Sequence, residues 1–181
     1  MTALGCVTGR FQPVHEQHLE LVGRALAECD HLIVAVTNPD PGSRRAEPAS
    51  AHRHMATANP FTYYERARLL DAALRERGWR ERTSVVPFDL TRPALWPHYV
   101  PLVARQYVRA YGDWERHKAR QLQGAGYAVT LLEGDPAQKR TAGEIRTRMH
   151  AGDPAWRARV PVATVALLEA FLASVPIASR Q

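Results

Sequence analysis

The feature that most constrains this chain is the run His31-Leu32-Ile33-Val34-Ala35-Val36-Thr37, apolar at consecutive positions rather than alternate ones. A strand with one wet face alternates. A strand that is apolar throughout has to be covered on both faces, as in a parallel sheet flanked by helices. The rest of the chain fits that condition. Ala3–Thr8, Ser84–Phe88, Tyr107–Tyr111 and Ala128–Leu132 read as further strands, with Pro87 placing the third near a sheet edge or strand end. Helix-period segments lie between them, at about His18–Ala27, from Thr62, Ala94–Ala104, Asp113–Gln123, from Thr141, and about Val162–Ser174. Thr62 and Thr141 each stand three residues before a glutamate, Glu65 and Glu144, the spacing of a capping box. The expectation is an α/β fold, an open parallel five-stranded sheet with helices on both faces and a helical C-terminal end.

With 181 residues and no linker, repeat or low-complexity tract, residues 1–181 read as a single domain. The one aperiodic stretch is 38–59, rich in Pro, Ser, Ala and His, and read as a long substrate-side loop. No apolar stretch approaches the roughly 20 residues of a membrane span, and the start of the chain lacks a signal-peptide layout, so the cytoplasm is expected. Cys6 and Cys29 have neither metal-site nor redox-motif spacing and are expected to be reduced and buried. A formal charge of +6 suits a polyanionic ligand. Lys118 and Lys139 are the only lysines, however, and so strong a skew toward arginine reads as much as coding bias as binding surface. Charge alone therefore does not make nucleic acid the partner.

Two short motifs carry chemistry. Gly9-Arg10-Phe11-Gln12-Pro13-Val14-His15-Glu16-Gln17-His18 lies where the first strand hands over to the first helix, the place where open parallel sheets bind ligands. His15 and His18 share a helical face at that spacing and could hydrogen-bond phosphate oxygens; a metal pair is the competing reading, but no third ligand is near. The second motif is Lys139-Arg140-Thr141-Ala142-Gly143-Glu144-Ile145-Arg146. Here a Thr cap, free helix N–H groups and Arg146 form a plausible anion nest.

Together these motifs resemble the nucleotidyltransferase superfamily marked by a His-x-Gly-His turn and a late Ser/Thr-rich helix start followed by Arg. The archaeal-type nicotinamide-mononucleotide adenylyltransferases are similar in particular. Gly9–Pro13, Asn59-Pro60-Phe61-Thr62 with Glu65-Arg66, Asp89-Leu90 with Ala94-Leu95-Trp96, and Glu144-Ile145-Arg146 follow that family's blocks in order. The resemblance implies a Rossmann-like fold and transfer of a nucleotide from a nucleoside triphosphate to a small acceptor, with Mg²⁺ and release of pyrophosphate. It implies that His15, His18 and Arg146 are catalytic and that Gly9, Arg10 and Phe11 approach the reacting phosphate. Lys139, Arg140 and Thr141 would bind the phosphates, and Asp89 and Trp96 would meet the acceptor, the indole by stacking.

The departures from that pattern are as informative. Gln17 replaces the signature glycine, Ala58 stands where a basic residue is common, Tyr63-Tyr64 replaces a small pair, and the late motif keeps one hydroxyl. Arg44, Arg45, His52, Arg53 and His54 of the long loop could close over an anionic substrate. Changes clustered around the substrates, with the fold intact, describe a repurposed enzyme. Relatives of this family that cytidylylate a small phosphonate, such as phosphonoformate, would tolerate them. The expectation leans to CTP with a phosphonate acceptor, ahead of ATP with nicotinamide mononucleotide. A non-catalytic nucleotide or nucleic-acid binder is the reading from another class. Gln17 could touch base or ribose, a homo-oligomer is compatible with the sequence, and no metal ligand is legible in it.

Overall fold

The apolar run His31–Thr37 forms strand β2, buried from Leu32 onward because a core covers each of its faces, and it pairs along both edges. Its neighbours are β1 (Leu4–Gly9) and β3 (Thr83–Phe88), both parallel to it. In this computed structural model, which describes residues 3–46 and 54–180, the sheet continues through β4 (Arg105–Ala110) to β5 (Val129–Glu133). The order is β3-β2-β1-β4-β5, all parallel, so β3 with its Pro87 does lie at an edge. A proline costs least there, where one side of the strand needs no donor.

Alternate residues of each strand feed two cores. Val7, Val34, Val36 and Tyr107 pack under α1 (Glu16–Leu26) and α2 (Tyr63–Glu76), joined by the C-terminal helices α5 (Ala142–His150) and α6 (Val165–Ser174). Cys6, Ile33, Ala35 and Val108 pack under α3 (Trp96–Tyr99) and α4 (Asp113–Gly124). Both cysteines are free and buried. No described helix is long and apolar enough to cross a membrane.

Strand bounds shifted by one or two residues, β4 starting at Arg105 rather than Tyr107, and three helices changed at their ends. The first helix begins at Glu16 rather than His18, because His15 takes an extended conformation and serves as its cap. The helix expected over Ala94–Ala104 shrinks to a 3-10 turn, Pro93–Leu95, and the four residues of α3. Val100 precedes Pro101, and the proline ring disfavours helical geometry in the residue before it; Val100 is extended. The last helix opens as a 3-10 turn, Val162–Thr164, before α6. The Thr62 capping box forms in both directions, Glu65 N–H to Thr62 Oγ1 at 3.2 Å and Thr62 N–H to Glu65 Oε2 at 2.8 Å. Thr141 caps α5 by accepting from Glu144 N–H at 3.4 Å.

Candidate active site

With β1 between β2 and β4, the connections after β1 and β4 lead to opposite faces of the sheet, and a crevice opens at their carboxyl ends. A cleft of about 400 Å³ lies there. It is walled by the loop from β1 into α1, by residues 109–118 running from β4 into α4, and by the segment entering α5.

The first wall is built into the core. Phe11 has a left-handed backbone, φ 51°, and is buried. Its ring lies so close to Gly9 that a Cβ there would meet it at 2.9 Å, which is why position 9 has to be glycine. Gln12, 1% exposed, pairs in both directions with the Phe61 backbone, each bond 2.9 Å. Arg66, also 1% exposed, donates to the carbonyls of Thr62, Arg10, Thr37 and Asn38 at 2.7–3.2 Å. Among the described residues, Phe11 and Asn38 are the non-glycine positions with positive φ, and Arg66 holds a carbonyl beside or at each. Burial pulls the Arg66 pKa down to about 10, still well above neutrality. The Asn-Pro-Phe-Thr and Glu-Arg blocks are thus the scaffold of this wall.

The two histidines stack, with ring centroids 3.7 Å apart, and the Phe11 ring meets His18 edge-on at 4.8 Å. His18 Nδ1 accepts from the His15 backbone N–H at 3.3 Å, so a neutral His18 carries its proton on Nε2 and can donate from there. His15 is buried, and its pKa falls to about 4, first through desolvation and then through the charge of Arg140. It is a neutral imidazole at pH 7. A nearby phosphate would reverse part of that shift by favouring the charged ring.

The facing wall is polar and exposed. Thr141, Ala142 and Gly143 bring the N-terminus of α5 to the cleft. Arg146, one turn in, donates to Gln12 O at 2.8 Å, and burial lowers its pKa. Lys139 Nζ reaches Glu115 Oε1 at 2.8 Å. Around the cleft, Arg10, Arg109, Lys118, Lys139, Arg140 and Arg146 face a single carboxylate, Glu115, among the described residues. That excess of positive charge, next to a helix N-terminus and two imidazoles, is an arrangement for a polyanion.

Of the residues singled out in the sequence, His15, His18, Arg146, Gly9, Arg10 and Phe11 line this cleft, as do Gln17, Lys139, Arg140 and Thr141. Asp89 and Trp96 do not. The Asp89 carboxylate accepts from Thr91 N–H and Oγ1 at 2.8 and 2.7 Å, and its carbonyl accepts Trp96 Nε1–H at 2.8 Å. Trp96 is 2% exposed and packs between Phe88 and Tyr127. The indole points inward, so this block anchors the core and presents Leu90 to the cleft instead. The Gln17 carboxamide bonds the backbone of residues 138 and 140. Of the loop cations, Arg44 donates to Asn59 O at 3.4 Å and Arg45 lines a small recess beside Arg10 and Trp114. His54 does not line the cleft, and His52 and Arg53 lie outside the described residues.

Sequence reasoning missed the β4–α4 wall: Arg109, Tyr111, Trp114, Glu115 and Lys118. Lys118 Nζ donates to Thr8 Oγ1 at 2.9 Å, at the mouth of β1, and Arg109 pairs with Glu20 at 3.0 Å. The signal was present in the charged residues 113–120, but nothing in it says that β4 neighbours β1.

The cytidylyltransferase-like family model matches residues 6–121. The phosphonoformate cytidylyltransferase of Streptomyces viridochromogenes is 33% identical over 91% of this chain and 90% of its own length. The nicotinamide-nucleotide adenylyltransferase of Pyrococcus horikoshii is 32% identical over 89% of this chain and 80% of its own. A crystal structure of a bifunctional NMN adenylyltransferase/ADP ribose pyrophosphatase from Francisella tularensis shares the fold, with a TM-score of 0.71 at 14% identity. It matches 98% of this chain, which spans about half (52%) of that longer one. The switch-point cleft, its excess of positive charge and these likenesses agree: the chain belongs to the cytidylyltransferase-like family and is a nucleotidyltransferase.

Proposed function

We propose that the enzyme transfers CMP from CTP to a small phosphonate or phosphate acceptor. An acceptor oxyanion attacks the α-phosphorus in line; the new P–O bond forms as the bond to the β-phosphate bridge breaks, and pyrophosphate leaves with the electron pair. No protein nucleophile is required, so the catalytic work is positioning and charge stabilisation. His18, donating from Nε2, and His15 lie against the transferring phosphate. Thr141, the α5 N-terminus, Arg140 and Arg146 hold the leaving pyrophosphate, whose charge grows as the bond breaks. Arg10 and Lys118, at the end of β1, are placed to hold the acceptor.

The observation that carries the acceptor side is Trp96. It lies in the core at 2% exposure with its N–H satisfied, so it gives a nicotinamide ring no platform. A compact, strongly anionic acceptor asks for cations instead, and the cleft supplies those. The near end-to-end likeness to the Streptomyces enzyme supports CTP as the donor. Several archaeal adenylyltransferases of similar identity favour a second reading, ATP with nicotinamide mononucleotide.

Mg²⁺ fits this site as part of the nucleotide substrate. Among the described residues no three His, Cys, Asp or Glu side chains are gathered to hold a metal, and the cleft has one carboxylate, already paired with Lys139. Phosphate oxygens and water would make up most of its ligands, as is common for this ion, and bound there it would neutralise triphosphate charge.

The test is pyrophosphate release with Mg²⁺, crossing CTP, ATP, GTP and UTP against nicotinamide mononucleotide and a panel of small phosphonates. CTP with a phosphonate as the best pair is the expected result. ATP with nicotinamide mononucleotide as the best pair would overturn the proposal in favour of the second reading.

A further inference from the structure

Gln17 stands in the first turn of α1, at the cleft, where the family's signature has glycine. Both ends of its carboxamide engage one piece of backbone. Nε2–H donates to Gln138 O at 2.6 Å, and Oε1 accepts from Arg140 N–H at 2.8 Å. The two peptide groups it engages flank Lys139. That lysine reaches the other way, to Glu115 in the first turn of α4 at 2.8 Å, with its ammonium 5.5 Å from the centre of the Tyr111 ring.

Residues 135–141 are otherwise exposed along their whole length. The segment leaves β5 through Gly134, whose N–H donates to Ala110 O at 2.8 Å. A side chain at 134 would collide with the Tyr111 ring, its Cβ meeting that ring at 2.5 Å. The stretch is therefore a strap running from the α4 side of the cleft to the α1 side, above the junction of β1 and β4. Lys139, Arg140 and Thr141 project from it into the cleft. On the α1 side, the Gln17 carboxamide is a tie that glycine could not supply.

We propose that Gln17 is a positioning residue that holds the Lys139–Arg140 strap over the cleft in the absence of substrate, so that a triphosphate meets its cations already in place. With both ends of its carboxamide on the strap, Gln17 acts through the two residues it orders. An ordered strap spares binding the cost of immobilising it, and loss of two hydrogen bonds of ordinary strength corresponds to about tenfold or somewhat more in affinity. This inference rests on the triphosphate role proposed for the cleft and is indifferent to which base or acceptor is used.

The test pairs hydrogen exchange with nucleotide binding on the full chain. Peptides covering 135–141 are followed without ligand in the wild type, Gln17→Gly and Gln17→Glu. The glutamate keeps an acceptor for Arg140 N–H and loses the donor to Gln138. Exchange at Arg140 is expected to quicken about tenfold in Gln17→Gly and less in Gln17→Glu. The Kd values for magnesium CTP and magnesium ATP, measured separately by calorimetry, should weaken by a common factor of about ten, with the KM for the acceptor unchanged. Exchange that matches the wild type would overturn the proposal. So would faster exchange with unaltered Kd, or weakening confined to one of the two nucleotides, which would make Gln17 a base reader. Exchange is read without substrate, so a failed substrate assignment leaves that readout in force.

Discussion

The two walls that would grip a triphosphate are built in opposite ways. From Phe11 to His15 the first wall is buried without a break, and Arg66 and Gln12, each 1% exposed, fix its backbone. From Asp135 to Thr141 the second is exposed without a break, and its ties are a surface carboxamide and a half-exposed lysine. Removing one wall means opening the core. Removing the other means exchanging a few hydrogen bonds with water, which costs little. Rigidity is thus concentrated where the reacting phosphate would sit, and adaptability on the side from which a leaving pyrophosphate would depart. A nucleotidyltransferase has to release that product, and only the second wall can yield without unfolding.

Arg66→Met is the substitution that would most directly break this contrast. It leaves the carbonyls of Arg10, Thr37, Asn38 and Thr62 without their guanidinium, so a stability loss of about 3 kcal/mol or more is expected in urea unfolding. A loss comparable to that of a surface arginine would mean that the first wall does not depend on its buried cation.

Acid should weaken the same wall through His15. Its pKa in the fold, about 4, lies below the 6.5 of an unperturbed histidine, so the unfolded chain takes up the proton first. The contribution is intact above pH 6.5, declines as pH falls through that window, and is exhausted below about pH 4, for a total of roughly 3 kcal/mol. Comparing urea midpoints of wild type and His15→Gln between pH 8 and 4 isolates it from the carboxylates. Parallel curves would show that His15 titrates normally.

His18→Ala tests catalysis rather than architecture. Turnover should fall by about 10²-fold or more, the effect of a lost transition-state donor, while the unfolding midpoint stays close to that of the wild type. An unchanged rate would remove His18 from the mechanism.

Trp96→Phe carries the smallest effect. It removes the bond to Asp89 O and some core packing, so about 1 kcal/mol of stability should be lost with no change in acceptor KM. A tenfold rise in that KM would instead return the indole to the acceptor site.

The contrast between the walls also separates what could be read in the sequence from what could not. The Gly9–His18 turn was legible because its chemistry is local: a glycine under a ring, a histidine cap and a second histidine one turn on all lie within ten residues. Thr141 and Arg146 were legible for the same reason, as a cap and a cation on one short helix. The burial of Trp96 was not legible because a block of letters does not say which way an indole points; in the fold it packs between Phe88 and Tyr127 with its N–H on the Asp89 carbonyl. The β4–α4 wall was invisible because its meaning depends on β4 lying next to β1.

By itself, then, the sequence determined the parallel α/β architecture, the two motifs that meet at the cleft and the family. Hydrophobic period, capping spacing and signature residues are properties of neighbours along the chain. The tertiary structure alone decided that Arg66 and the Phe61 backbone brace the first turn from about fifty residues away. It also decided that Lys118 meets Thr8, and that Gln17 ties down a strap more than a hundred residues downstream. Those are contacts between elements, fixed by strand order and by the need of buried polar groups for partners, and no window of sequence contains both ends of them.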